Sequence, residues 1–279
     1  MAVDALSVAK LAIYIVLVQP SIYVLFKHGR TGLMGWLFVN SFCVLRIVTD
    51  AMTIHPNTSK ATLILASIGL APLLFACAGI LHEARLARDP SINNKLEWFW
   101  QLQYHAIVMA GMVLVIIGVV NVDSSSSSES KIHTSQTLVK AGAAVMVVAW
   151  LVLVFWSLIS TRTRASRDLP SYRGGSILLH AVIWTLPFNG VRLVYSVASL
   201  ILRTTHPNSS FLTSTAANVC LSVVEEILVV LILIVAGVRT RGLRKTVKTM
   251  EKYEPQPMQT GLQPLQQPYG NTQYHGGQY

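Results

Sequence analysis

The amino-acid sequence predicts an all-α polytopic membrane protein, a bundle of seven transmembrane helices. Two observations carry this. Charged residues make up 12% of the 279-residue chain and hydrophobic residues 52%, with a mean hydropathy of +0.52, whereas a soluble domain is about one-quarter charged. The apolar residues also gather into blocks close to the roughly 20 residues that a helix needs to cross about 30 Å of hydrocarbon. These blocks occupy nearly all of residues 1–252, leaving no room there for a soluble domain. Residues 253–279 turn to Gln, Pro, Gly and Tyr. They bury too little apolar area to order themselves, so a disordered tail is expected.

The first helix is expected over residues 7–26, with Pro20 near its end and Lys27, His28 and Arg30 stopping it. Asp4 and the lack of a basic cluster before this run predict a retained helix rather than a cleaved signal peptide. The second helix is expected over 33–54, and the third over 61–81 with Pro72 inside. A polar loop, 82–101, ends in Trp98, Phe99 and Trp100, an aromatic interfacial belt. The fourth helix covers 102–120, and a low-complexity serine loop follows at 124–130, expected to be flexible. The fifth covers 138–160; the sixth begins near Ser176 and the seventh ends near Val238. Cys43, Cys77 and Cys220 all fall inside apolar segments, so no structural disulfide is expected.

Orientation follows from the basic residues. Fifteen of the 22 Lys and Arg lie in the loops after helices one, three and five and in the tail, and five lie on the opposite side. Arg46 and Arg192 are intramembrane. The positive-inside rule then places the N-terminus outside and the C-terminus in the cytosol. Two sequons, at Asn57 and Asn208, fall on the outer side, where glycosylation requires them. The net charge of +10 is accounted for by loops facing anionic lipid, and no nucleic-acid partner is expected. Segments 53–59 and 204–210 match at five of seven positions, and each follows a helix with an intramembrane arginine. A parallel three-plus-one-plus-three duplication would produce that arrangement, although turns select Pro and Asn anyway.

Ionisable residues inside a bilayer cost several kcal/mol unless paired or hydrated, and so are functional candidates. Helical spacing groups them. Asn189, Arg192, Ser196 and Ser199 form one stripe on helix six, just after the kink expected at Pro187. Ser214, Asn218, Ser222 and Glu225 form another on helix seven, with Glu226 at its edge. Arg46 and Asp50 lie four apart on helix two, where they can pair. The expected site is an outward-opening polar pocket between helices two, six and seven, with Arg192 paired to Glu225. Glu226 is then the carboxyl left over and protonated. Structural clasps between helices would use the same residue types.

Near the inner ends lie His82, Glu83, His105 and His180. Three histidines at one depth match the ligand count of an open zinc site, but no HxxxH or HExxH spacing supports it. No metal or cofactor is expected. No lysine lies between Phe211 and Val238 to form a retinal Schiff base, and helix seven lacks NPxxY. His82-Glu83-Ala84-Arg85 stands where receptors of the G-protein-coupled class carry a DRY-like triplet.

Several segments carry a family resemblance. They are residues 4–11 (DALSVAKL), 26–29 (FKHG), 42–48 (FCVLRIV), 67–74 (SIGLAPLL) and the run from Pro187-Phe188 through Val191-Arg192-Leu193-Val194-Tyr195. In these the chain resembles a family of uncharacterised seven-helix integral membrane proteins of filamentous fungi, a domain of unknown function. The resemblance implies a fungal membrane protein and brings no activity.

The functional expectation is a receptor-like or sensory protein of the plasma membrane, not an enzyme. It would bind a small-molecule ligand in the polar pocket and a cytosolic partner through its basic inner loops and tail. The alternative is a transporter of a small polar or lipid-like solute, suggested by broken helices with midplane charges.

Overall fold

The fold was obtained as a computed structural model, which describes residues 5–54, 68–89, 92–122, 129–162, 169–205 and 219–243. Those residues form seven helices long and apolar enough to cross a membrane, with no strand among them. They are α1 (Ala5–Gly29), α2 (Gly32–Ile54), α3 (Leu70–Arg88), α4 (Asn94–Val122), α5 (Glu129–Arg162), α6 (Tyr172–Thr205) and α7 (Val224–Arg239). A single π-helical turn, Val219–Val223, leads into α7.

α1 and α2 are joined almost without a loop. Gly29 has φ 63° and ψ −147°, a left-handed conformation that glycine adopts without a Cβ clash. One residue therefore reverses the chain direction between two spans.

α3 is the hub. Its apolar stretch is 78% buried, against 22–50% for the other six spans. It packs against the α1–α2 hairpin, α4, α5 and α6, while α7 lies against α6 and the hairpin. At the α2–α3 crossing two glycines face each other. A Cβ on Gly35 would fall 2.7 Å from the Ile80 amide nitrogen, and one on Gly79 would fall 2.6 Å from Gly35 Cα. Lipid tails are as apolar as leucine, so close backbone contact of this kind is what holds membrane helices together. Trp36 and Phe42 of α2 and Leu73, Leu74 and Ile80 of α3 belong to the buried hydrophobic core. Val16, Phe26, Phe155 and Val194 point outward and are mostly exposed, as a surface solvated by hydrocarbon requires.

Several helices run beyond the expected bounds. α3 continues to Arg88 and α4 starts at Asn94, so most of the expected loop 82–101 is helical. Charges meet there across the helix ends: Arg85 lies 2.5 Å from Glu97 Oε1, with His82 Nδ1 3.6 Å from its other oxygen. Trp98, Phe99 and Trp100 stand exposed on the first turns of α4. Glu129 and Ser130, expected in the serine loop, begin α5. α5 and α6 each have 34 residues, about 50 Å of helix, longer than the hydrocarbon alone needs. α6 passes through Pro187 as one helix. The expected tail, 253–279, lies outside the described residues.

The crossing yields a direct test. Gly35→Ala is expected to lower stability by about 1–3 kcal/mol, the usual cost of overpacking. A Cβ added at Gly242 would meet no described residue within 4 Å, and Gly242→Ala is expected to leave the thermal unfolding midpoint of detergent-purified protein unchanged. Equal midpoints for both variants would rule out the crossing as a packing constraint.

Candidate functional site

The intramembrane charges converge on one carboxylate. Glu226, on the first turn of α7, is 3% exposed. Its Oε1 forms ion pairs with Arg46 of α2 and with Arg192 of α6. Tyr14 of α1 donates its hydroxyl to Oε2 at 2.9 Å. Four helices thus meet at one side chain. Arg46 and Arg192 are 9% and 3% exposed, and both guanidiniums lie over the Phe42 ring, 5.4 and 6.0 Å from its centroid. Phe42 makes an edge contact with Tyr14 at 5.9 Å, so aromatic rings form the floor of the cluster. Gly69 lies against the guanidiniums: a Cβ there would meet Arg46 Nη2 and fall 2.8 Å from Arg192 Nη2.

Two expected pairings are corrected. Arg192 pairs with Glu226, not Glu225, and Glu226 is the shared partner rather than the carboxyl left over. The cause is the π turn ahead of α7. Its i→i+5 pattern turns the chain less per residue than an α-helix does, so a stripe projected at 3.6 residues per turn ends on the wrong face. Glu225 is half-buried, and its Oε2 finds no hydrogen-bond partner among the described residues. Asp50 does not pair with Arg46 one turn away. It takes Lys10 of α1 at 2.8 Å, whose long flexible stem reaches across the helix boundary.

The other expected site residues divide. Asn189 is fully buried below the cluster and donates Nδ2 to Cys77 Sγ at 3.5 Å. Cys77 in turn lies 3.4 Å from Thr185 Oγ1. Asn218, Asn57 and Asn208 lie outside the described residues. The histidines expected near one depth go separate ways. His82 faces Glu97, His105 stacks on Phe75 at 4.7 Å, and His180 is exposed with Nδ1 2.7 Å from the Ser176 carbonyl oxygen. Among the described residues, no three His, Cys, Asp or Glu side chains are grouped to hold a metal ion.

A second buried cluster was not anticipated. Near the other end of α7, His28 Nδ1 lies 2.6 Å from Glu83 Oε1, and its Nε2 lies 3.0 Å from the Gly237 carbonyl oxygen. Trp36 Nε1 donates to Glu83 Oε2 at 2.9 Å. Both ring nitrogens thus lie within hydrogen-bond reach of an oxygen. The cluster joins the end of α1, α2, α3 and α7. The signal was Glu83 itself, an acidic residue in an apolar helix, but its partner is 55 residues away.

Nearby, Arg88 donates to the Ser160 carbonyl at 2.6 Å and Arg85 to the Ser160 hydroxyl at 3.2 Å, tying α3 to α5. Ser171 donates to the Ala87 carbonyl at 2.7 Å.

These observations define a multi-pass membrane protein with two buried polar clusters, one at each end of α7. The chain belongs to the family described as Domain of unknown function (DUF7702), whose model matches residues 1–243. Among curated proteins and solved structures, no match to the chain was found.

Removing the shared carboxylate isolates two buried guanidiniums. Glu226→Gln is therefore expected to cost about 3–5 kcal/mol, the usual effect of breaking a buried ion pair. Glu225→Gln, which breaks no ion pair among the described residues, is expected to shift stability by about 0.5 kcal/mol or less. Thermal unfolding of the two purified variants checks this, and an equal loss in both would remove Glu226 from the centre of the cluster.

Proposed function

We propose that the protein is a receptor-like or sensory protein, not an enzyme, whose ligand site is the cluster at Glu226. One observation supports this above the rest: a single carboxylate on α7 holds groups from α1, α2 and α6. A ligand competing for either arginine loosens α7 from its neighbours. Gly237, eleven residues along α7 from Glu226, is about 16 Å away at 1.5 Å per residue. It carries the carbonyl that engages His28, so a shift of α7 reaches the opposite cluster. In this reading the N-terminus is outside, the basic loops and tail meet a cytosolic partner, and the protein is a glycosylated one of the plasma membrane. The motif resemblance supports a fungal source.

The second reading, a transporter of a small polar or lipid-like solute, draws on the π turn before α7 and on Pro187 within α6. Both are places where a membrane helix can rearrange.

Distances between spin labels separate these readings. Labels at Arg173→Cys and Val238→Cys, in a background with Cys220→Ser, report the basic ends of α6 and α7. A pool of small polar metabolites is expected to change that distance in otherwise wild-type protein and leave it unchanged when Arg192→Gln is added. Accumulation of a metabolite in proteoliposomes, with no change that depends on Arg192, would favour transport. Orientation has its own readout. Asn57→Gln and Asn208→Gln are each expected to remove a glycosidase-sensitive increment of mass, and labelling of the Ile54 end of α2 only from the cytosol would reverse the topology.

A further inference from the structure

The charges of the cluster do not balance. Lys10, Arg46 and Arg192 bring three positive charges, and Asp50 and Glu226 bring two negative ones. The Lys10–Asp50 pair is complete in itself. Two guanidiniums therefore share one carboxylate in a region where both residues are buried. A buried charge without a counter-charge costs several kcal/mol. The donors do not balance either. Nε of Arg46 and Nε of Arg192 are both buried without a hydrogen-bond acceptor among the described residues. Glu225 does not supply the missing charge, since neither arginine pairs with it among those residues. Helix seven thus provides half the anionic partner that its neighbours require.

We infer that the ligand of this site is a small oxyanion, a carboxylate or phosphate group held by Arg46 and Arg192 together. This rests on the reading of the Glu226 cluster as a binding site and adds the chemical class. Guanidinium presents N–H donors in a planar fork that matches two oxygens of one anion. Two such forks, from α2 and α6, meet over one aromatic ring, Phe42. Gly69 lets the backbone leading into α3 lie directly against both forks: a Cβ there would fall 2.8 Å from Arg192 Nη2. An entering oxyanion makes two acids for two guanidiniums, and Glu226 becomes one arginine's partner instead of two. Occupancy both neutralises the cluster and redistributes the bonds that hold α7.

The same chemistry is found on a free metabolite and on a lipid headgroup, and the test separates the two. Full-length protein in nanodiscs of neutral phosphatidylcholine is titrated with sodium acetate and with sodium phosphate in low-salt buffer, and thermal unfolding is followed. Wild type is expected to gain several degrees at saturation. Arg192→Gln leaves a neutral Arg46–Glu226 pair, and its midpoint is expected to stay flat, with affinity for the anion weakened about tenfold or more. Should Arg192→Gln fail to fold, Glu226→Gln gives the complementary readout. Its two uncompensated arginines make its stability more dependent on acetate than that of wild type.

A gain seen only when phosphatidic acid is added to the nanodiscs would assign the oxyanion to a lipid headgroup. A gain with soluble anions in neutral discs would assign it to a free small molecule. Wild type and Arg192→Gln responding alike to every anion would overturn the proposal. A response that depends on Arg192 but is produced by choline or glucose would overturn the oxyanion class while leaving the binding site in place.

Discussion

A carboxylate withdrawn from water needs partners, and Glu226 finds them on three other helices. That constraint organises the end of the bundle that holds the starts of α3 and α7. Tyr14, Arg46 and Arg192 each lie on a different helix, and all three reach the same two oxygens. Apolar packing between helices has little directional preference in a bilayer, where lipid and side chain are equally apolar. Ion pairs in low dielectric are directional and costly to break. The cluster therefore sets register and rotation where hydrophobicity alone would leave them loose.

The remaining helices are arranged around this charged core. Among the described residues, α4 and α5 contribute no group to the Glu226 cluster. They pack chiefly along each other and join the rest through α3 and α6. Polar ties at the basic end, Arg85 and Arg88 to Ser160, fix them there. The bundle thus has a polar half, in which helix positions are set by buried hydrogen bonds, and a half assembled mainly by surface fit.

Much of the architecture was legible in the sequence, because a bilayer restricts both length and composition. The seven spans follow from apolar block length, and Arg46 and Arg192 stand out because arginine in such blocks is rare. Their partner was harder to read. Glu225 and Glu226 differ by one position, about 100° around a helix, and the choice between them depends on a π turn that hydropathy does not reveal. By sequence Lys10 is one of the five basic residues on the outer side, yet its side chain reaches Asp50 inside the bundle. His28 and Glu83 were visible singly, one as a helix stop and the other as a member of a histidine group. Their pairing depends on how α1 and α3 cross, and no local pattern records that crossing.

The central position of α3 bears on how the protein is made. It is the least apolar of the seven spans and the most buried, and it carries Glu83, Arg85 and Arg88 in its last two turns. Alone in lipid, those groups would face hydrocarbon without His28, Trp36 or Glu97. Glu97 is on α4, and the Gly237 carbonyl that completes the His28 site is on α7, synthesised last. Pairing of the polar groups on α3 therefore depends on helices that come later in the chain. The burial of this core helix is thus completed only by spans that follow it in the chain.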